Sequence, residues 1–233
     1  MTFPPAAVIF DLDGCLVDSE TLSIGAIVDE LHDMGMSDVT YEDVRNRFLG
    51  VSMRVICEKL TQSTDQLDQQ DFVTRVEARL LLRFLTHLKQ IDGAVDLLEL
   101  LKDHDIPIAI ATGGSIRRMT ETLEISGLAP WFDGVAFSAD QVEHGKPAPD
   151  LFLYAAQNLG VPAEACVVLE DSPHGIEGAL AAGMRAIGFV GGAHLDDIRD
   201  THKKLLVSKG ADTVAQSMTA VIEAMLPSSM INR

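Results

Sequence analysis

Residues 6–20 read AAVIFDLDGCLVDSE and pass from a short apolar run directly into paired aspartates and a glycine. Later runs share the richness of this one in Val, Ile, Ala and Phe, and most are followed by polar or glycine-containing residues and then a helical pattern. The apolar runs are residues 6–10, 106–111, 135–137, 166–169 and 186–190. A short edge strand is also expected near residues 212–214. Such runs are typical of strands buried on both faces of a parallel sheet, so we expect a doubly wound α/β core.

Proline and serine mark where the helices of this core begin. Ser172 followed by Pro173 is typical of an N-cap with proline at the first helical position. Pro149 is expected to open the helix 150–159 in a similar way, and Gly160 to end it. These signals place helices after the third and fourth predicted strands.

The interval between the first and second runs holds more than ninety residues, too many for a single crossover connection. Its apolar residues recur at spacings of three and four, which predicts helices. The predicted helices are 22–34, 41–48, 53–60 and 72–88. We therefore expect a helical cap domain over residues 18–89, inserted into a core formed by residues 1–17 and 90–233.

The composition is acidic, since 35 Asp and Glu residues against 18 Lys and Arg residues give a formal net charge of −17. This excess repels nucleic acid and anionic membrane surfaces, so neither is expected as a partner. A small anionic substrate would need local positive charge from a metal, a lysine or helix N-termini.

The three cysteines, Cys15, Cys57 and Cys166, show neither metal-ligand spacing nor a disulfide framework. The N-terminal residues are not typical of a signal peptide, and no stretch approaches the ~18 apolar residues needed to span a bilayer. We expect a cytoplasmic protein in a reducing compartment. The lack of a long exposed apolar stripe favours a monomer.

Two acids follow the first predicted strand. Residues two apart on an extended chain point the same way, so Asp11 and Asp13 are expected to face one site. Taken alone, such acids could equally be helix caps or solvated loop residues. Open α/β sheets bind ligands at the carboxyl ends of their strands, which is where both residues lie.

A hydroxyl and two glycines follow the second predicted strand. Thr112, Gly113 and Gly114 would supply a hydroxyl group and free backbone N–H groups at a helix N-terminus, which suits a phosphate group. The alternative is a simple glycine-rich turn in which Ser115 caps the helix.

A lysine and two further acids complete the set. Lys146 lies in the proline-stiffened loop GKPAPD, and Glu170 and Asp171 close the fourth predicted strand. Each signal is weak by itself. Together, acid, hydroxyl, lysine and acid on successive strands form a coherent set for phosphoryl transfer.

These motifs resemble those of the haloacid dehalogenase superfamily. Residues 11–14 with 18–20 match its first motif, Thr112 the second, Lys146 the third and residues 170–172 the fourth. The resemblance covers nearly the whole chain and implies a Rossmann-like, doubly wound parallel sheet. Because the helical insertion follows the first strand, the chain is similar to the branch that includes β-phosphoglucomutase and many sugar-phosphate phosphatases.

The resemblance also implies roles for these residues. Asp11 is the nucleophile that becomes an aspartyl phosphate, and Asp13 is the general acid toward the leaving alcohol and then the base toward water. Thr112 and the Gly113 N–H hold the phosphoryl oxygens, and Lys146 balances charge.

A magnesium ion is expected on electrostatic grounds as well. A phosphate dianion beside Asp11, Asp13 and Asp171 creates like-charge pairs of roughly 4 kcal/mol each at about 4 Å and an effective dielectric of about 20. Mg²⁺ prefers oxygen ligands and suits these acids better than zinc, since no His or Cys is expected to accompany them. The resemblance assigns the ion the Asp11 carboxylate, the Asp13 backbone carbonyl and Asp171, with Glu170 binding directly or through water.

An acid two residues after the nucleophile favours phosphate esters over dehalogenation, because it protonates an alkoxide. The mutase has a histidine where Ser23 aligns and an arginine where Met53 aligns, and neither is present; Arg54 lies one position further on. We therefore expect a phosphatase acting on a sugar phosphate or a phosphorylated sugar acid. A mutase and a receiver-like phospho-accepting module are the alternatives.

Several further residues are expected either to contact the substrate or to have a structural role. The expected substrate contacts are Glu20, Gly50, Arg54, Gly113 and Gly114. Candidates to attract an anion are Arg45, Arg47, Arg75 and Arg79. His144 and His174 are assigned to structure, and His194 has a possible chemical role.

Overall fold

The computed structural model describes residues 4–48, 56 and 69–231. Six strands form one parallel sheet in the order β3-β2-β1-β4-β5-β6. The strands are β1 (Ala7–Phe10), β2 (Ile108–Thr112), β3 (Ala136–Ser138), β4 (Cys166–Glu170), β5 (Arg185–Phe189) and β6 (Thr213–Ala215). The predicted parallel α/β core is confirmed, and the ends of the six predicted strands are shifted by no more than two residues.

Both faces of the sheet are covered because successive side chains enter two different apolar clusters. Along β1, Val8 and Phe10 belong to one cluster, while Ala7 and Ile9 belong to the other. All four are fully buried. A continuous apolar run is therefore what a central parallel strand requires.

Helices flank the sheet after each strand. In the core they are α4 (Ala94–Asp103), α5 (Ile116–Ser126), α6 (Asp150–Leu159), α7 (Pro173–Ala181), α8 (Arg199–Ser208), α9 (Met218–Met225) and α10 (Ser228–Ile231). As predicted, Ser172 caps α7 by accepting hydrogen bonds from the N–H groups of His174 and Gly175. Pro149 occupies the N-cap position of α6 and not its first helical position, and Gly160 ends this helix with φ of 70°.

An inserted helical cap lies between β1 and β2, as predicted. Its described helices are α1 (Glu20–Asp33), α2 (Tyr41–Phe48) and α3 (Gln69–His87). They enclose a third apolar cluster that includes Ile27, Leu31, Phe72, Leu80 and Phe84. The predicted helix 53–60 lies outside the described residues except for Ile56, and the boundaries 18–89 stay a prediction.

The two connections between core and cap run side by side. The N–H of Asp18 donates to the Lys89 carbonyl at 2.9 Å, and the N–H of Ile91 donates to the Leu16 carbonyl at 2.9 Å. These bonds hold the base of the cap within a few residues of the acids that follow β1.

Within the described part of the chain, no helix combines the length and apolar character that crossing a bilayer requires.

The cap core offers a matched test of this packing. Leu80 is fully buried in α3, whereas Leu82 on the same helix is 68% exposed. We expect Leu80→Ala to lower the free energy of unfolding by about 2 to 5 kcal/mol and Leu82→Ala to change it by less than about 0.5 kcal/mol. Urea unfolding followed by circular dichroism measures both. Equal losses would contradict the position of α3.

Candidate active site

The strand order brings polar residues that are distant in sequence to one edge of the sheet. Strand β1 lies between β2 and β4, so Asp11, Thr112 and Glu170 stand at the ends of neighbouring strands. The N–H of Asp11 donates to the Leu169 carbonyl at 2.9 Å, which extends the sheet pairing by one residue. The backbone that carries Asp11 is therefore held by the sheet itself.

Lys146 joins two carboxylates at this edge. Its Nζ lies 2.5 Å from Asp11 Oδ1 and also donates to Glu170 Oε1. No more than 10% of any of these three side chains is exposed. The lysine comes from the loop before α6, and its Nζ also lies 5.2 Å from the centre of the Phe152 ring, a favourable cation–π distance.

Burial and neighbouring charges shift the pKa values of this group. Burial raises the pKa of Asp11 well above its ordinary value; Lys146 opposes this, and the carboxylates of Glu170 and Asp171 reinforce it. Burial alone would lower the pKa of Lys146, but Asp11 and Glu170 outweigh that effect and raise it. Lys146 therefore stays charged, and further positive charge would favour ionised Asp11.

Glu170 occupies a closely fitted slot. Its Oε2 accepts a hydrogen bond from the N–H of Ser172 at 3.0 Å, while Oε1 bonds Lys146. A Cβ atom on Gly175 would lie only 1.9 Å from the Glu170 carboxyl carbon. Glycine in the first turn of α7 therefore makes the room that this carboxylate needs.

Asp171 is held by two histidines from later in the chain. Its Oδ2 lies 3.2 Å from His194 Nε2, and its backbone carbonyl lies 2.7 Å from Nε2 of the buried His202. A Cβ atom on Gly14, whose φ is 76°, would lie 2.1 Å from Asp171 Oδ2. The first and fourth motifs therefore meet at van der Waals distance.

His194 carries a shifted pKa. Burial alone lowers the pKa of His194, but the contact with Asp171, together with the charges of Glu20 and Asp18, outweighs burial and raises it. The possible role of His194 is thus contact with Asp171. His202 was not anticipated, because a histidine more than thirty residues beyond the motif has no local signal that ties it there.

Among the described residues, one group of potential metal ligands stands out. Ligand atoms of Asp11, Cys15 and Asp171 all lie within 4.8 Å of one another, and all three residues are buried. The expectation that no Cys or His accompanies these acids was wrong, because Cys15 Sγ and a His194 ring nitrogen lie near their carboxylates. Burial, reinforced by Asp171 and Asp11, raises the pKa of the Cys15 thiol well above its ordinary value. The two carboxylates offer oxygen ligands, which a hard cation such as Mg²⁺ prefers.

Asp13 is oriented by two other side chains. Its Oδ1 accepts a hydrogen bond from Ser19 Oγ at 2.5 Å and lies 2.9 Å from Arg118 Nη2. Arg118 Nη2 is also 3.9 Å from Glu20 Oε1.

Burial and the charge of Asp13 raise the pKa of Glu20 to about 7, against the opposing effect of Arg118. The prediction that Glu20 lies near the site is consistent with this geometry, whereas Arg118 was missed because helical arginines are usually solvated.

The turn after β2 is built from its own polar groups. The N–H of Gly114 donates to Thr112 Oγ1 at 3.1 Å, and Ser138 Oγ donates to the Gly114 carbonyl at 2.6 Å. Ser115 caps α5, as the simpler interpretation of this turn expected. A Cβ atom on Gly113 would meet no atom within 4 Å, so the turn is open on that side.

The expected cap contacts are only partly described. Gly50, Arg54 and the side chain of Arg47 lie outside the described residues. Arg45 lies on α2 with 13% of its side chain exposed, and its Nη1 is 3.5 Å from Asp197 Oδ2 in the core. Arg45 therefore bridges the cap and the core.

Arg75 and Arg79, two of the candidates to attract an anion, pair with an acid of the cap. Arg75 Nε lies 2.7 Å from Glu30 Oε1, and Arg79 Nη2 lies 3.1 Å from Glu30 Oε2. Because α3 packs along α1, these arginines face the acids of α1 and hold the two cap helices together.

The structural assignments of two histidines fit their contacts. His144 Nδ1 is 3.3 Å from Asp150 Oδ1 at the start of α6 and is exposed. The N–H of His174 donates to the capping hydroxyl of Ser172 at 3.2 Å. Neither contact involves the buried acids.

Comparisons with known proteins agree with this geometry. Residues 8–189 match the family described as haloacid dehalogenase-like hydrolase. The chain is 35% identical to a phosphorylated carbohydrates phosphatase of Thermotoga maritima over 182 residues, which cover 78% of this chain and 83% of that protein. It is 30% identical to hexitol phosphatase B of Escherichia coli, with 78% and 82% covered.

A solved structure has the same architecture. It is a hydrolase of the same family from Deinococcus radiodurans, solved with bound phosphate and sodium. Its sequence is 30% identical to this chain, the TM-score is 0.75, and the match covers 97% of each chain. The match to the family model spans well over half of the present chain. The chain therefore belongs to the haloacid dehalogenase-like hydrolase family, in its branch of sugar-phosphate phosphatases and β-phosphoglucomutase-like proteins, and is a phosphoric monoester hydrolase.

Proposed function

We propose that this hydrolase is Mg²⁺-dependent and cleaves a sugar phosphate or phosphorylated sugar acid through an aspartyl phosphate on Asp11. The observation that carries the proposal is the buried contact of 2.5 Å between Lys146 Nζ and Asp11 Oδ1, with Asp171 beside Asp11. A lysine fixed to one carboxylate oxygen leaves the other free to face an incoming phosphorus atom.

The balance of charge supports a divalent cation. Within residues 4–48, 56 and 69–231, Asp11 and Glu170 contact one ammonium group, that of Lys146. Asp171 contacts His194. A phosphate dianion would add further negative charge, which a hard cation between the Asp11 and Asp171 carboxylates would offset. When bound, Mg²⁺ would supply this charge neutralisation and favour ionised Asp11. The Asp13 carbonyl would be a further ligand, and Glu170, whose two oxygens already bond the chain, would act through water.

In the first step, an Asp11 carboxylate oxygen forms a bond to phosphorus while the bond from phosphorus to the ester oxygen breaks. The electron pair goes to the leaving oxygen, which takes a proton from the Asp13 carboxyl group. Lys146 balances the charge between Asp11 and the phosphoryl group, and Thr112 and the Gly113 N–H would hold the phosphoryl oxygens.

In the second step, water attacks the phosphorus of the aspartyl phosphate. Asp13, now ionised, takes the proton from that water, and the bond between phosphorus and Asp11 breaks to release phosphate. The two steps need one residue that gives a proton and then takes one. Asp13 lies two residues from Asp11 and is oriented by its own contacts.

The names of the relatives support the substrate class, since both curated phosphatases described above act on phosphorylated carbohydrates or hexitols by name. A mutase remains the alternative. It is disfavoured because Ser23, which aligns with the mutase histidine, is a buried residue of α1. The receiver-like alternative does not agree with the family assignment.

Replacing the nucleophile tests the mechanism directly. We expect Asp11→Asn to reduce phosphate release from a panel of sugar phosphates and sugar acid phosphates by about 10⁴-fold or more, because the amide is not a nucleophile. Asp133→Asn, at an exposed aspartate of the same core, is the matched control and should retain activity. Isomerisation of the substrate without phosphate release by the wild-type protein would instead establish the mutase.

Removing divalent metal tests the ion separately. We expect chelation to reduce phosphate release to background and added Mg²⁺ to restore it, because the buried acids then repel phosphate without compensation. Zn²⁺ should restore less activity than Mg²⁺, since the carboxylate oxygens of Asp11 and Asp171 suit a hard cation better. Full activity in the presence of chelator would contradict the metal requirement.

The raised pKa of Glu20 predicts a stability effect with a definite sign. A carboxyl whose folded pKa is about 7, above its ordinary value of 4.5, stabilises the fold fully below pH 4.5 and loses that contribution as the pH rises through 7. Glu20→Gln should therefore match the wild type near pH 4 and be more stable at pH 8, by up to about 3 kcal/mol. Urea unfolding at the two pH values measures this. A constant difference would contradict the shift.

A further inference from the structure

Arg118 is a buried cation that the proposed mechanism does not yet use. It lies in the first turn of α5, where its N–H bonds the capping hydroxyl of Ser115 at 3.0 Å, and only 7% of the residue is exposed. Its neighbour Arg117 points outward, with 59% of its side chain exposed, and pairs with Glu121 at 2.8 Å. Consecutive arginines of one helix thus have opposite environments.

The contacts of Arg118 are directed at the active site. Nη2 lies 2.9 Å from Asp13 Oδ1 and 3.9 Å from Glu20 Oε1. Within the described ranges, neither Nη2 nor Nε has a hydrogen-bond partner with good alignment. Burying a guanidinium group with incompletely aligned partners is a costly way to stabilise a fold. The position of this charge therefore requires another explanation.

The two oxygens of Asp13 have different surroundings. Oδ1 accepts from Ser19 Oγ at 2.5 Å and faces Arg118, whereas Oδ2 has no described hydrogen-bond or ion-pair partner in residues 4–48, 56 and 69–231. Two contacts on one oxygen fix the rotation of the carboxyl group. The second oxygen is then the one available to hold the transferable proton.

We propose that Arg118 is a positioning residue that, with Ser19, holds Asp13 Oδ1 so that Oδ2 delivers the proton to the leaving alkoxide. The inference rests on the proposed function, in which Asp13 is the general acid. Because Glu20 is the first residue of α1, the same guanidinium also contacts the start of the cap. Arg118 thus ties the proton-carrying carboxyl group to the base of the cap.

The chemistry of the leaving group separates positioning from general structural support. A sugar alkoxide is a poor leaving group and needs the proton as its bond to phosphorus breaks. A p-nitrophenolate ion leaves without one. Loss of correct Asp13 orientation should therefore impair sugar phosphates selectively, whereas a distorted active site would impair both substrates.

The experiment compares Arg118→Met, Arg118→Lys and the matched control Arg117→Met. The kcat/KM value is measured for the sugar phosphate that the wild type hydrolyses fastest and for p-nitrophenyl phosphate, because kcat/KM reports the step in which the leaving group departs. We expect Arg118→Met to lower kcat/KM by about 10²-fold for the sugar phosphate and by less than about fivefold for the aryl phosphate. Arg118→Lys should recover part of the loss, and Arg117→Met should match the wild type.

Two results would overturn the role of Arg118. One is an equal loss on both substrates together with a lower melting temperature, which indicates structural support alone. The other is a rise in KM for the sugar phosphate at unchanged kcat, which indicates direct substrate contact. Asp13→Asn, measured in parallel, should show the same selectivity. If wild-type protein releases phosphate from neither substrate, the proposed function itself is wrong.

Discussion

Two buried carboxylates share one ammonium group at the end of β1, and the rest of the site depends on this arrangement. Lys146 contacts both Asp11 and Glu170, and all three side chains are almost excluded from solvent. Ionised groups in such surroundings are stable only when paired, so the lysine holds the two acids together and opposes the shift of the Asp11 pKa that burial causes. One ammonium cannot balance every nearby acid, which leaves the pocket suited to a further cation.

Two glycines leave the space that these closely packed carboxylates need. Gly14 allows Asp171 to pack against the turn after β1, and Gly175 leaves space for the Glu170 carboxylate. Both glycines lie where a Cβ atom would overlap a functional oxygen. Their importance is therefore steric, and at Gly14 a left-handed φ of 76° adds a conformational reason.

The junction of core and cap lies within the same small region. The backbone bond of Asp18 to Lys89 joins the two connections, while Ser19 and the adjoining Glu20 take part in the contacts that orient Asp13. The Asp13 carboxyl group is thus held partly by residues at the base of the cap. Because of this shared position, the placement of the cap can affect the orientation of the Asp13 carboxyl group.

Local patterns in the sequence were sufficient to predict the strands, the N-cap residue of α7 and the four motif positions, because each depends on residues that are adjacent in sequence. The parallel sheet follows from continuous apolar runs, and its strand order then brings Asp11, Thr112 and Glu170 together. By contrast, Arg75 was one of four candidate arginines for attracting an anion, and it pairs with Glu30 in the cap. Spacing along one helix cannot show which partner helix a long side chain faces.

The amino-acid sequence by itself determined the class of fold, the inserted cap and the identity of the paired acids, lysine and hydroxyl. Only the tertiary structure decided that Cys15 lies beside Asp11 and Asp171, that His202 and His194 contact Asp171, and that Arg118 faces Asp13. These contacts join residues from separate elements. They depend on how helices and turns pack after the sheet has formed, which no local pattern records.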